Sequence, residues 1–137
     1  MALDVETLES SFDLVAPQGN ELVDRFYTKL FQTAPEVKPL FDRVDMARQK
    51  QSLLNTLVVL RESLRDLSEV VPDLEDLGAQ HAGWGVRPEY YQPVITCLVE
   101  TMAEVGGSSW KPEYTAAWTE ACEVVRDVML RGAEQAA

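Results

Sequence analysis

Apolar side chains recur at intervals of three and four residues through most of this chain, a spacing that collects them on one face of an α-helix. The pattern is clear over residues 22–30, 53–67, 94–105 and 114–128. No run of four or more residues alternates apolar and polar positions between turn signals, as a half-buried strand requires. We therefore predict an all-α fold without sheet, in which residues 53–67 form one continuous helical segment.

Proline and glycine residues divide these segments. Five prolines stand just before an apolar run, where a proline in the first helical turn loses no hydrogen bond: Pro17, Pro35, Pro72, Pro88 and Pro112. Residues 106–109, Gly-Gly-Ser-Ser, separate the last two helices, which we expect to pack antiparallel. The length of 137 residues predicts one domain over residues 1–137, built from six or seven unequal helices in a non-bundle arrangement.

The charge balance excludes several classes of partner. Twelve Lys and Arg against 23 Asp and Glu give a net charge of −11, which repels nucleic acid and anionic lipid surfaces. The apolar stretches are too short to span a bilayer, and the acidic N-terminus lacks the features of a secretion signal, so we expect a cytoplasmic protein. Cys97 and Cys122 lie in apolar helical patterns and are expected to be buried free thiols.

His81 is the only histidine, which excludes a multi-histidine zinc site and a bis-histidine haem site. It follows Leu74, Leu77 and Gly78 on one helical stripe, so its side chain should face the core. Two interpretations remain open on these grounds. The imidazole is either a core residue satisfied by a backbone carbonyl or a ligand for a bound group.

Tyr27 and Gln49 are polar residues on apolar stripes of two different predicted helices. Tyr27 follows Phe26, with Phe31 four residues later, so its ring should face inward and its hydroxyl needs a partner or a ligand. Gln49 shares a face with Leu53. The alternatives are that the Tyr27 hydroxyl reaches solvent and that Gln49 marks a frayed helix start.

Together with His81, these residues stand in an order that resembles the bacterial single-domain globins, the family that includes the haem domain of flavohaemoglobins. The resemblance runs from about residue 20 to residue 130. Its most specific segments are RFYTKLF at 25–31, PEVKPLFD at 35–42 and LGAQHAGWGV at 77–86. It implies a globin fold around a haem pocket. Because the chain has no Cys-x-x-Cys-His motif, the haem is expected to be haem b.

The resemblance also implies roles for individual residues. His81 would be the proximal ligand of the haem iron, with Tyr91 beneath its imidazole. Phe41 would pack against the macrocycle, and Leu53 would close the distal face. Tyr27 and Gln49 would donate hydrogen bonds to bound O₂.

Three basic residues, Arg48, Lys50 and Arg87, flank the segments expected at the haem edge and are candidates to pair with the propionates. The sequence departs from the family at two points. Ser52 stands where relatives often carry a basic side chain, and Glu134 is one position out of register for the acidic partner of the proximal tyrosine and histidine.

The function implied is reversible O₂ binding at a His-ligated iron, for storage or delivery, with NO and CO as further possible ligands. The same site could oxidise NO to nitrate with an external reductase, because a chain of this length has no room for a flavin or nicotinamide module. A gas sensor acting through a protein partner and a haem-free helical interaction module are the remaining alternatives. The colour of the purified protein separates the last from the others.

Overall fold

The computed structural model describes residues 3–136, which form six α-helices joined by short 3₁₀ segments and contain no strand. The α-helices are α1 (Val5–Val15), α2 (Gly19–Thr33), α3 (Met46–Glu62), α4 (Val71–Gly83), α5 (Tyr91–Gly106) and α6 (Pro112–Ala136). The 3₁₀ segments are Ala16–Gln18, Pro35–Phe41, Leu67–Glu69, Pro88–Tyr90 and Gly107–Ser109. The prediction of an all-α fold with six or seven helices is confirmed.

Helix starts lie where capping and proline chemistry place them. Pro112 is the first residue of α6, Pro72 the second of α4, and the other three marked prolines lie in the first turns of 3₁₀ segments. The Asp4 carboxylate accepts a hydrogen bond from the first turn of α1. Asp45 does the same for α3, where it accepts from two backbone amides.

The predicted continuous helix over residues 53–67 is wrong at its end, because α3 stops at Glu62. Beyond it the backbone tightens, and the Leu64 amide bonds to the Arg61 carbonyl three residues back. Leu64 is still buried, and Leu67 begins a separate 3₁₀ turn. Leucines spaced by three and four keep facing the core through this change, so the sequence pattern continues where the helix does not.

The core lies where α1, α2, α5 and α6 meet. Trp118 of α6 is fully buried, and its indole N–H donates to Ser11 Oγ of α1 at 2.8 Å. The Ser11 hydroxyl in turn donates to the Thr7 carbonyl at 2.7 Å, so both buried polar groups are satisfied. Cys97 and Cys122 are buried free thiols as expected, and burial raises the pKa of Cys122 to about 12.

The arrangement of α4 differs from that of the core helices. It packs along α6 and hardly touches α3, which runs past its opposite side. Gly78 is the one fully buried residue of α4, although the helix carries Leu74, Leu77 and His81 on the adjoining face. That face therefore borders an open cleft and is not packed against another helix. Within residues 3–136, no helix combines the length and the apolar character that crossing a membrane requires.

Replacing Ser11 by Ala should reduce the free energy of unfolding by about 1–3 kcal/mol, because the buried Trp118 N–H then loses its acceptor. Urea unfolding followed by circular dichroism measures the change. Ser10→Ala, at an exposed position of the same helix, is the matched control and should change stability little. Equal stabilities of the two variants would contradict the assigned importance of this hydrogen bond.

Candidate functional site

A cavity of about 200 Å³ lies between the helices that carry the three residues singled out by sequence. Its wall is mostly aliphatic and aromatic, and no charged side chain of the described residues lines it. Tyr27 of α2, Gln49 of α3 and His81 of α4 all border this one space, together with Phe41 and Leu53. The structure therefore brings together residues that are up to 54 positions apart in the sequence.

His81 presents the form of imidazole that binds metal ions. Its Nδ1 lies 2.7 Å from the Leu77 carbonyl oxygen, so Nδ1–H donates there and Nε2 keeps a free lone pair. Burial lowers the pKa of His81 below its usual value, which favours this neutral state. The two interpretations of His81 are thus compatible, since the backbone carbonyl partner fixes the tautomer that a ligand needs.

Tyr27 and Gln49 form a polar pair in the same cavity. The Gln49 side-chain amide donates to the Tyr27 hydroxyl oxygen at 3.0 Å. Tyr27 is only 5% exposed, so its hydroxyl does not reach solvent, and burial raises its pKa. Because its oxygen already accepts from Gln49, the Tyr27 hydroxyl hydrogen remains available to a further acceptor.

Neither residue of this pair is loosely held. The Gln49 backbone N–H bonds to the Asp45 carbonyl, so the first turn of α3 is formed and not frayed. The Tyr27 ring packs against Phe26 and Phe41 with ring centroids 4.8 and 5.7 Å away. Phe31 closes the group, with its ring centroid 5.3 Å from that of Phe41. These edge contacts fix where the hydroxyl lies.

Two aromatic residues flank His81. The Tyr91 ring centroid lies 6.5 Å from the imidazole, and burial raises the pKa of this tyrosine. The Trp84 centroid is closer, at 5.2 Å, although 62% of the residue is exposed. Sequence reasoning missed Trp84, but its position three residues after His81 at the end of α4 was a usable signal.

The charged residues singled out by sequence lie outside the cavity wall. Lys50 already has an anionic partner, since its Nζ lies 3.0 Å from the Asp24 carboxylate. Arg48 and Arg87 are exposed and form no ion pair with any residue in 3–136. Glu134 is exposed as well and does not line the cavity, so the imidazole has a neutral carbonyl as its partner.

A second cavity, of about 460 Å³, continues the cleft between α3 and α4. Leu60, Leu74, Leu77 and Val59 contribute most of its apolar wall, and Leu77 lies one turn before His81. The donor set fits haem, because a neutral imidazole faces an apolar cleft with a hydrogen-bond donor among aromatic rings. The cleft offers no cluster of three acidic, histidine or cysteine ligands within the described residues that would suit a bare metal ion instead.

Comparison with known proteins agrees with this geometry. The globin family model matches residues 24–129. A flavohemoprotein of Bacillus cereus is 30% identical over 131 residues, which cover 94% of this chain and 32% of that protein. A flavohemoprotein of Bacillus subtilis is 25% identical over 128 residues, covering 92% of this chain and 32% of the relative. The chain thus spans about a third of the length of these curated relatives.

Solved structures show the same fold. A bacterial globin from Campylobacter jejuni superposes with a TM-score of 0.82 at 19% identity, covering 96% of this chain and 94% of that one. A candidate nitric oxide dioxygenase from Rhodothermus marinus, engineered as a carbene transferase, superposes with a TM-score of 0.85 at 22% identity, covering 96% and 91%. With the family match extending over residues 24–129, this chain belongs to the globin family.

Proposed function

We propose that this globin binds haem b through His81 and takes up O₂ reversibly beside Tyr27 and Gln49. The observation that carries the proposal is that a neutral imidazole and a fixed, buried hydroxyl donor line the same apolar cavity. Haem bound there would supply an iron at which O₂ binds reversibly. Phe41 and Leu53 lie in the wall, where their apolar side chains exclude water from the ligand.

Tyr27 is the residue best placed to discriminate between ligands. Its free hydroxyl hydrogen can donate to a ligand that carries partial negative charge, as O₂ does in its ferrous complex, and CO accepts such a bond poorly. Gln49 has already fixed the hydroxyl oxygen, so little reorganisation accompanies ligand entry. The pair should therefore slow the release of O₂ more than that of CO.

The proximal side favours reversible binding of O₂ over its reductive activation. A carboxylate hydrogen-bonded to a metal-bound histidine raises the basicity of the imidazole, which pushes electron density toward the iron. His81 instead donates to the Leu77 carbonyl, a neutral acceptor, and among residues 3–136 no carboxylate lines the cavity. Weaker electron donation from the His81 imidazole to the iron supports the role of an O₂ carrier over that of an oxidase.

NO oxidation is the second candidate function. It is supported by the similarity to flavohemoproteins, of which this chain covers only about a third. The Tyr27 donor that would retain O₂ would also favour its conversion with NO to nitrate. We propose that repeated turnover would depend on an external reductase, because each conversion would leave the iron ferric and an electron donor must reduce it again.

Loss of the imidazole tests the first proposal. His81→Ala should lose the spectral signature of histidine ligation, because no second histidine exists in the chain to replace it. Absorption and resonance Raman spectra of the ferrous protein measure the change. Added free imidazole should restore the signature, and circular dichroism checks that the helices remain. Unchanged ligation in the variant would contradict the assignment of His81.

Loss of the hydroxyl tests the distal pair. Tyr27→Phe keeps the ring and should speed O₂ dissociation by about tenfold to a hundredfold, the equivalent of about 1.5–3 kcal/mol. Stopped-flow or flash photolysis measures the rates of O₂ and CO release, and the CO rate should change much less. Tyr114→Phe, outside the cavity, is the control. Equal effects on both gases would assign Tyr27 to packing only.

Nitric oxide separates a carrier from a self-sufficient enzyme. The oxygenated protein should convert one NO to nitrate for each haem and leave the ferric form, because the iron cannot return to the ferrous state without an added electron donor. Electrode measurement of NO with spectroscopy of the haem follows the reaction. Addition of a flavin reductase and NADH should restore turnover. Sustained NO consumption with NADH alone would contradict the need for a partner.

A further inference from the structure

Two glycines allow α4 and α6 to touch through their backbones. A Cβ atom built on Gly78 would overlap the carbonyl group of Met129, at a separation far below the 3.0 Å that real Cβ atoms respect. On the other helix, a Cβ on Gly132 would overlap the carbonyl group of Glu75 in the same way. Each helix therefore contributes one glycine, whose missing side chain leaves room for the backbone of the other helix. We call this contact the glycine seam, formed by Gly78 and Gly132.

The seam lies next to the candidate site. Gly78 precedes His81 by three residues, which places the two on adjoining faces of α4. Met129, whose backbone meets Gly78, also lines the cavity that His81 borders. This close backbone approach is thus about one helical turn from the proposed ligand.

The His81 ring moves with its helix. Its Nδ1–H donates at 2.7 Å to the Leu77 carbonyl, which belongs to the backbone of α4. The ring also contacts Trp84, the residue that caps the end of α4. A displacement of α4 is consequently passed to Nε2, because the hydrogen-bond partner of the ring belongs to α4 itself, whereas its contact with α5 is the looser one to Tyr91, whose ring centroid lies 6.5 Å away.

Relief of an overlap at the seam requires α4 to move. Backbone carbonyls cannot rotate away as the end of a flexible side chain can, so the helices must separate until the new Cβ reaches ordinary contact, which begins at 3.4 Å. Metal and binding sites tolerate misplacement of only about 0.5 Å. A separation larger than that is expected from either substitution.

From these contacts we infer that Gly78 and Gly132 are positioning residues, which set where the His81 imidazole stands in the cavity. The inference deepens the proposed function and rests on His81 as the ligand. Neither glycine lines the cavity, so each acts on His81 only through the placement of α4 on α6. A shift of α4 toward or away from α6 would change the position of His81 Nε2 and therefore the bond that this atom can form with iron.

Gly78→Ala and Gly132→Ala test the inference, with Gly83→Ala as the control. Gly83 lies in the same helix and nearer to His81, but a Cβ there meets nothing within 4 Å. In the apoprotein, the imidazole NMR signals are unambiguous because the chain has one histidine. Both seam variants should shift these signals, and the control should shift them little.

The haem-loaded protein gives a second measurement. The iron–histidine stretching band should shift in both seam variants, and haem release should become about tenfold faster, the equivalent of about 1.4 kcal/mol, because a displaced imidazole binds the iron more weakly. Gly132→Ala is the more telling variant, because it leaves the sequence of α4 unchanged. Gly83→Ala should keep the parent band and release rate.

The possible failures are distinguishable. A parent protein without histidine-ligated haem would overturn the proposed function, and the NMR signals of the apoprotein would still decide the inference. Unshifted His81 signals in folded seam variants would overturn the inference alone. Global unfolding of both variants, seen by circular dichroism, would also overturn it, because the glycines would then hold the fold and not the site.

Discussion

The position of α4 depends on contact with a single neighbour. The helix packs along α6 and hardly touches α3, so its other face remains directed into the cleft. Side chains alone would hold two helices about 8–10 Å apart, whereas the glycines permit a closer approach. Dispersion contacts grow with such closeness, which compensates for the small number of neighbours. The close contact between α4 and α6 therefore allows the other face of α4 to border an open cleft.

The distal side of the cavity illustrates how a buried polar group is made tolerable. An unpartnered hydroxyl in an apolar wall would cost about 1–3 kcal/mol. Gln49 removes part of that cost for Tyr27 and leaves the hydroxyl hydrogen unused. Three aromatic neighbours, Phe26, Phe31 and Phe41, hold the Tyr27 ring in place and so fix the direction in which its hydroxyl can donate. Stability and the proposed selection between ligands thus depend on the same hydrogen bond.

Much of the fold follows from the sequence, because buried stripes and proline positions are local signals. The convergence of Tyr27, Gln49 and His81 on one cavity was also predicted, through family resemblance, and their roles stay predictions. The end of α3 was predicted wrongly, because leucine spacing does not distinguish an α-turn from a 3₁₀ turn. The ion pair of Lys50 with Asp24 was not predicted, because Asp24 lies on another helix, and the proposed pairing of Lys50 with a propionate stays a prediction.

The glycine seam shows a different limit. Gly78 was noticed only as part of a stripe, since a residue without a side chain leaves no periodic signal of what it contacts. Gly132 was the available clue, because an isolated glycine within a long helix costs stability and so suggests a close neighbour. Only the backbone geometry reveals that Met129 and Glu75 are those neighbours.

The seam joins segments that are made at different times. Gly78 and the residue it meets are about fifty positions apart, and α6 occupies the last part of the described chain. Chains emerge from the ribosome at about 5–20 residues per second, and contacts between distant segments close late. During synthesis, α4 can form its own backbone hydrogen bonds several seconds before α6 has been made and can pack against it. The seam, and with it the position of α4, can therefore form only after α6 has been synthesised.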